Sequence, residues 1–264
     1  MVIMDIEADG RGRRSRRDVD QHWFKIDDGR DFGFTSLSPE SWVHSWILHF
    51  SMAGGQFLNE DRFLKNWNVY QNFLSDLNVA ELLGLSTTSN LSKLPSWCIS
   101  HPWAMVGPRQ MKRWLPPRIL RARRQQNVRS PFWARGSRVM DLEVVESGGR
   151  NFEQFRSLLQ SISQNGFNFE ANAQDPMKVD VLVDGSDTVW SLHSGFHRTA
   201  LLSTLGYNDV LATQRLVVRR EEVESWPQVL SGDFSQGEAL AVFDSFFEAR
   251  LLPWRRELQS RLRD

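Results

Sequence analysis

Hydrophobic and polar positions divide this chain into stretches of helical period and stretches of strand period. From Ser38 to about Leu83 the period is helical. Trp42, Val43, Trp46, Ile47 and Phe50 recur on one face, and Phe63, Leu64, Trp67, Tyr70, Phe73, Leu74 and Leu77 form a second stripe. A weaker segment, Ala80-Glu81-Leu82-Leu83, closes at Gly84. Ser38-Pro39-Glu40 predicts the first helix start, with a capping hydroxyl, proline at the first helical position and an early acid. Aromatic stripes of this kind build cores. Arg138 to Val145 alternates as a strand does. Val179–Val183 and Thr188–Leu192 are strand-like runs joined across Asp184-Gly185, which predicts a hairpin. Thr199 to Leu205 returns to the helical pattern and stops at Gly206. Ser235-Gln236-Gly237-Glu238 is a capping box, and Ala239, Leu240, Val242, Phe243, Phe246 and Phe247 supply the buried side of the helix it opens.

These patterns predict four regions. Residues 1–35 are polar, with Arg11-Gly12-Arg13-Arg14-Ser15-Arg16-Arg17, and are expected to be a flexible leader. Trp23, Phe24, Phe32 and Phe34 suggest that its end packs onto the body. Residues 36–130 form a helical extension and a connector rich in Pro, Trp and Arg. Leu94-Pro95-Ser96-Trp97 and His101-Pro102-Trp103 there predict ordered loop. Residues 131–222 hold the sheet, and residues 223–264 are C-terminal helices, bent at Leu251-Leu252-Pro253-Trp254. The fold class expected is α/β (α+β), a mixed-sheet domain flanked by N-terminal and C-terminal helical extensions.

The chemistry concentrates where the hairpin meets the helix, at Leu192-His193-Ser194-Gly195-Phe196-His197-Arg198-Thr199-Ala200. Backbone N–H groups at a helix start carry partial positive charge and attract anions. Gly195 permits close backbone approach, and Arg198 offers a two-pronged partner for phosphate. Ser194 and Thr199 are candidate hydroxyl donors to the same phosphate, or helix caps. This order of strand, Asp-Gly turn, strand, Gly-x-His-Arg and helix resembles the ParB/sulfiredoxin superfamily. The resemblance covers about Val139 to Val218. It includes Phe152–Ile162 with Asn165-Gly166 upstream, and Leu205-Gly206-Tyr207 with the strand Leu211–Val218 downstream. In that superfamily a Gly-x-x-Arg loop at a helix N-terminus holds nucleotide phosphates. The resemblance therefore implies a phosphate-binding loop of Ser194, Gly195, His197, Arg198 and Thr199, with ATP or another nucleotide and magnesium as ligands. Two departures narrow it. Phe196 stands where sulfiredoxins carry their catalytic cysteine, so sulfinic acid reduction is not expected. No helix-turn-helix pattern follows Val218, so a chromosome-partition role is not expected either.

Three functions stay open. One is an ATP-dependent phosphotransferase acting on a small-molecule acceptor, with His197 as the catalytic residue that orients or protonates phosphate. Its base would be a carboxylate drawn from Asp141, Glu143, Glu170, Asp175 or Asp180. The second is a non-catalytic protein that senses nucleotide or engages a partner. The third is a DNA-associated protein using the arginines between Arg109 and Arg138, a stretch without Asp or Glu. The formal net charge of zero disfavours a dedicated nucleic-acid binder. That stretch then becomes a solvated basic face, or one neutralised by acids such as Glu221, Glu222 and Glu224. The single cysteine, Cys98, allows no internal disulfide framework. No metal site is expected, because Ser194-Gly195 breaks the His193/His197 spacing and Cys98 with His101 makes no second pair. No apolar run is long enough to span a bilayer and no signal-like start is present, so the expected location is cytoplasmic, with no membrane partner.

Overall fold

A computed structural model describes residues 21–53, 57–113, 141–168 and 176–263. Its centre is the expected hairpin: β5 (Met177–Asp184) and β6 (Asp187–Ser194) run antiparallel, joined through Gly185 at a φ of 58°. A left-handed residue suits the right-handed twist of a two-residue hairpin connection. Beyond β6 comes a helix over Phe196–Thr204, and then β7 (Asp209–Arg219), which pairs with β5 in parallel. Two short strands complete a five-stranded mixed sheet. They are β1 (Gln21–Lys25), antiparallel to β7, and β2 (Gly29–Arg30), parallel to β6. A separate two-stranded ribbon pairs β3 (Met52–Ala53) with β4 (Phe57–Leu58).

β1 and β2 occupy opposite edges of the sheet, yet only the single turn Ile26–Asp28 separates them. Lys25 and Gly29 are four Cα steps apart, a reach of at most about 14 Å. Four inter-strand spacings of a flat sheet span about 19 Å. The sheet must therefore curl until its edges approach. Trp190 of β6 fills the curl: its indole N–H donates to the Lys25 carbonyl at 2.8 Å, and its ring packs on Phe24. A side chain at Gly29 would meet Trp190 at 2.4 Å, so the edge strand needs glycine there.

Helices cover both faces. In chain order they are α1 (Val43–Ser51), α2 (Glu60–Ser75), α3 (Val79–Leu82), α4 (Asp141–Asn165), α5 (Phe196–Thr204), α6 (Pro227–Leu230), α7 (Gln236–Phe247) and α8 (Pro253–Arg263). Val179, Trp190, Leu192, Val210 and Ala212 pack with Trp46, Phe63, Trp67, Phe155 and Leu201 in one core. Leu182, Val189 and Val218 pack with Phe34, Trp97, Trp103, Phe243 and Phe246 in the other. This is an α/β (α+β) architecture with a mixed sheet and helical extensions. The capping box at Ser235 and Glu238 forms as expected, each side chain bonding the other's backbone N–H.

Three expectations need correction. Residues 21–35 are not leader: they supply both edge strands and the turn that follows, while residues 1–20 lie outside the described residues. Asp141–Val145 is not strand but the start of α4. The helix runs through Gly148-Gly149 back from the amphipathic stripe Phe152, Phe155, Leu159 and Ile162, since adding a turn to a helix already nucleated costs far less than starting one. Ser38-Pro39-Glu40 forms a turn instead of a helix start. Trp42 N–H donates to the Ser38 carbonyl, Trp42 stays extended, and α1 begins at Val43.

One polar cluster ties the layers together. Asp31 Oδ2 accepts from Arg255 Nη2 at 2.5 Å, and the two side chains are 8% and 3% exposed. Asp31 Oδ1 accepts from Gly33 N–H, Thr35 N–H and the Thr35 hydroxyl, and that hydroxyl accepts in turn from Arg255 Nη1. The turn this builds is tight: a side chain at Gly33 would meet the guanidinium at 2.1 Å, and Phe34 is held at a φ of 75°. Asp31→Ala should lower the unfolding free energy by about 3–5 kcal/mol in urea titration, the cost of leaving a buried charge unpaired. Replacing both partners, with Asp31→Leu and Arg255→Met, should cost less than either change alone.

Burial, with smaller contributions from His197 and Arg255, pushes the His44 imidazole down to about 3. Burial also pushes His101 down to about 3, against its contact with the Phe32 carbonyl. Both rings are therefore neutral in the native state, whereas the unfolded chain protonates them below about pH 6.5. Their contribution is whole above that pH and drains as pH falls towards 3, at about 1.4 kcal/mol per pH unit per histidine. His101 stacks on Phe32 and Trp103, so His101→Phe keeps the packing. Urea titrations between pH 7 and pH 4 should show that variant losing less stability on acidification, by one histidine's share of the slope.

Candidate functional site

The loop singled out in the sequence forms where β6 ends. Gly195 takes a left-handed conformation, φ 95° and ψ 20°, and α5 begins at Phe196, three residues before the expected start. A Cβ on Gly195 would lie 2.4 Å from Met177 Cγ on β5, so the strand-to-helix turn demands glycine for both conformation and space. Thr199 is fully buried. Its backbone N–H donates to the Gly195 carbonyl at 3.0 Å, and its hydroxyl lies 3.1 Å from that carbonyl and 3.2 Å from Met177 Sδ. It closes the loop from the inside and does not face a ligand. Ser194, Phe196, His197 and Arg198 are half-buried around the helix mouth.

His197 faces α4. Its Nε2 lies 2.7 Å from Oδ1 of the fully buried Asn151, and its ring meets Phe155 edge-on. Because Oδ1 can only accept, Nε2 carries the proton in that bond. Arg198 sits on the first turn of α5, where the helix dipole and a guanidinium favour the same charge.

The other candidates are distributed elsewhere. Asp180 is buried and paired with Arg215 across β5 and β7, with Nε donating to Oδ1 at 2.7 Å and Nη2 to Oδ2. Glu170 and Asp175 lie outside the described residues, and Asp141 and Glu143 belong to α4. Burial pushes the Cys98 thiol up to about 12, which makes it a packing group rather than a nucleophile. Arg109, at the head of the basic stretch, pairs with Asp233 at 3.3 Å. Arg118 to Arg138 fall outside the described residues.

Phe196 gives the loop a second neighbour. Its side chain lines a cavity of about 80 Å³ whose wall also includes Asp31, Trp42, His44, Gln71 and Arg255. These residues come from the 31–35 turn, from the approach to α1 and its first turn, from α2 and from α8. The signals that could have marked them were present but separate: Trp42 reads as core, and Arg255 as part of a basic surface helix. Only the fold brings them together.

The chain matches no family model, no curated protein and no solved structure. No helix among the described residues is long and apolar enough to cross a membrane.

Gly195→Ala should lower the unfolding free energy by at least about 1 kcal/mol, since a left-handed alanine is strained and its methyl strikes Met177. Urea titration checks this. A change within about 0.5 kcal/mol, the range of an ordinary surface substitution, would show that the loop does not require glycine.

Proposed function

We propose that the protein binds a nucleotide or related phosphate ester, with its phosphate at the Ser194–Arg198 loop. The observation that carries this reading is the juxtaposition at Phe196. On one side is a glycine-capped start of a nine-residue helix with Arg198 on its first turn, and on the other a ligand-sized cavity. An anion site beside a partly aromatic cavity is the division of labour that a phosphate ester needs: charge at one end, a ring or chain at the other. The element order supports the ParB/sulfiredoxin resemblance, with α4, the Gly166 turn, the hairpin, the Gly-x-His-Arg loop, α5 and β7 in sequence. Ser194, Gly195 and Arg198 are the contacts in this proposal. Thr199 and the Asn151-bonded His197 shape the loop.

Binding is favoured over phosphoryl transfer by a specific observation. Asp180 is committed to Arg215 and Asp31 to Arg255, so neither is placed to activate an acceptor. A phosphotransferase with ATP and magnesium keeps Asp141, Glu143, Glu170 and Asp175 as its candidate bases, and its small-molecule acceptor would be a second partner.

ATP, ADP, CTP and GTP, each with magnesium, should be screened by thermal unfolding. A ligand at a hundred times its dissociation constant stabilises by about 2.7 kcal/mol, roughly 5 °C for a domain of this size. At least one nucleotide should give such a shift, and Arg198→Ala should abolish it while melting near the wild-type temperature. No shift with any of them, or a shift that survives Arg198→Ala undiminished, overturns the proposal.

A further inference from the structure

The sheet face that carries the second core changes character towards the start of β5. Leu182, Val189 and Val218 belong to that core. Side chains alternate along a strand, so Lys178 and Asp180 of β5 and Ser191 of β6 lie on the same face. Met177, Val179 and Leu192 lie on the other, in the first core. Two irregularities shape the polar end of the face. Between β5 and β6 the pairing steps from Lys178–Ser194 to Val179–Leu192, so His193 is an extra residue. Between β5 and β7 it steps from Val179–Gln214 to Asp180–Leu216, so Arg215 is an extra residue as well. The central strand is thus flanked by a bulge on each side at Val179. Bulges re-aim side chains and recur beside functional sites.

The re-aimed groups are neighbours. Arg215 spends Nε and Nη2 on the buried Asp180, which leaves Nη1 with no hydrogen bond among the described residues, on a side chain 31% exposed. Lys178 and His193 are exposed, and neither side chain makes a hydrogen bond or ion pair among the described residues. The pairing sets Lys178 across from Ser194 and Thr213, beside His193 on one strand and two residues from Arg215 on the other. Cross-strand neighbours lie about 5 Å apart. Their charges act on one another. The protein packed around His193, then Arg215 and Lys178, push its imidazole below the ordinary value, while Asp180 pulls it up. His101 of the connector, within electrostatic reach of His193 and Arg215, is neutral. Arg215 and Asp180 cancel, so the surplus here is the positive charge of Lys178, beside an imidazole that an arriving anion would help to protonate.

We infer that this bulged face is an anion site for a phosphate group, held by Lys178, His193 and Arg215 Nη1. A carboxylate would take the two-pronged edge of a guanidinium, and Asp180 already fills that edge. What is left is an ammonium, one guanidinium nitrogen and an imidazole from three adjacent strands, separate donors that suit an oxyanion with three or more oxygens. The phosphate arrives as the free ion or on a small ester. The site lies on the face opposite the one that α5 covers, and it does not rest on the function proposed above.

The test follows the imidazole signals of His193, assigned with His193→Gln, in nuclear magnetic resonance spectra of the full chain. The titrants are inorganic phosphate, ethyl phosphate and, as a control, chloride at matched ionic strength. At least one phosphate should move the signals saturably and raise the pH at which His193 titrates, and chloride should do neither. Lys178→Gln should weaken that binding about tenfold while melting at the wild-type temperature, because Lys178 is exposed and has no bond to lose. Arg198→Ala should leave the binding unchanged, which separates this face from the helix-mouth loop. Tighter binding of ethyl phosphate makes an ester the ligand, and tighter binding of the free ion makes it inorganic phosphate. No saturable change at millimolar concentration of either phosphate overturns the inference, and so does binding of equal strength in Lys178→Gln. Binding lost in Arg198→Ala instead puts the anion at the loop, which overturns this inference and favours the function proposed above.

Discussion

The ion pair between Asp31 and Arg255 is the constraint on which the rest of this structure depends. It joins residues 224 positions apart, bringing the last helix against the turn that follows β2. A buried charge pair is tolerated only when its remaining hydrogen-bonding capacity is filled. Here Asp31 accepts from the guanidinium, from two backbone N–H groups and from a hydroxyl, and Arg255 also reaches Thr35. Those bonds dictate the turn. They hold Phe34 in a left-handed conformation and seat its ring against Phe246 of α7, while Arg30 beside it donates to the Phe246 carbonyl. One cluster thus anchors the β2 edge of the sheet to the C-terminal helices.

The same cluster forms one wall of the cavity. The charge of Arg255 is matched inside the protein, by Asp31. The curl of the sheet fixes the opposite side. β6 is held by Trp190 in the bend, so Ser194 and Gly195 leave the strand in one direction and set the axis of α5. Phe196 then faces the cavity while Arg198 stays at the helix mouth.

The features that were legible in the sequence are the local ones. The hairpin needs only two β-rich runs and a glycine turn, and the capping box at Ser235 needs only Glu238 three residues on. The Gly195 loop was equally visible, because a strand, a glycine and a helix are adjacent in the chain. Features set by distant partners were not. β1 and β2 are too short to show a period, and they exist because β7 and β6 offer them open edges. Thr199 looked like a ligand donor, yet packing against Met177 turns it inward. The alternation over Asp141–Val145 carried a strand pattern that the helix downstream overrides. The cavity lies beyond sequence pattern altogether. Trp42 belongs to an aromatic stripe, Gln71 is a polar residue of α2, and Trp254 and Arg255 open α8, and only tertiary packing places them in one wall.

The central claim is that cavity and helix mouth are two ends of one site. The most direct measurement is a nitrogen-15 correlation spectrum of the chain titrated with whichever of ATP, ADP, CTP and GTP stabilises it, with the eleven indole signals assigned by Trp→Phe substitution. The account predicts that the indole signals of Trp42 and Trp254 and the backbone amide of Gly195 move together, with one dissociation constant. Movement of the Gly195 amide while both indole signals stay still, or movement of other indoles alone, would contradict it.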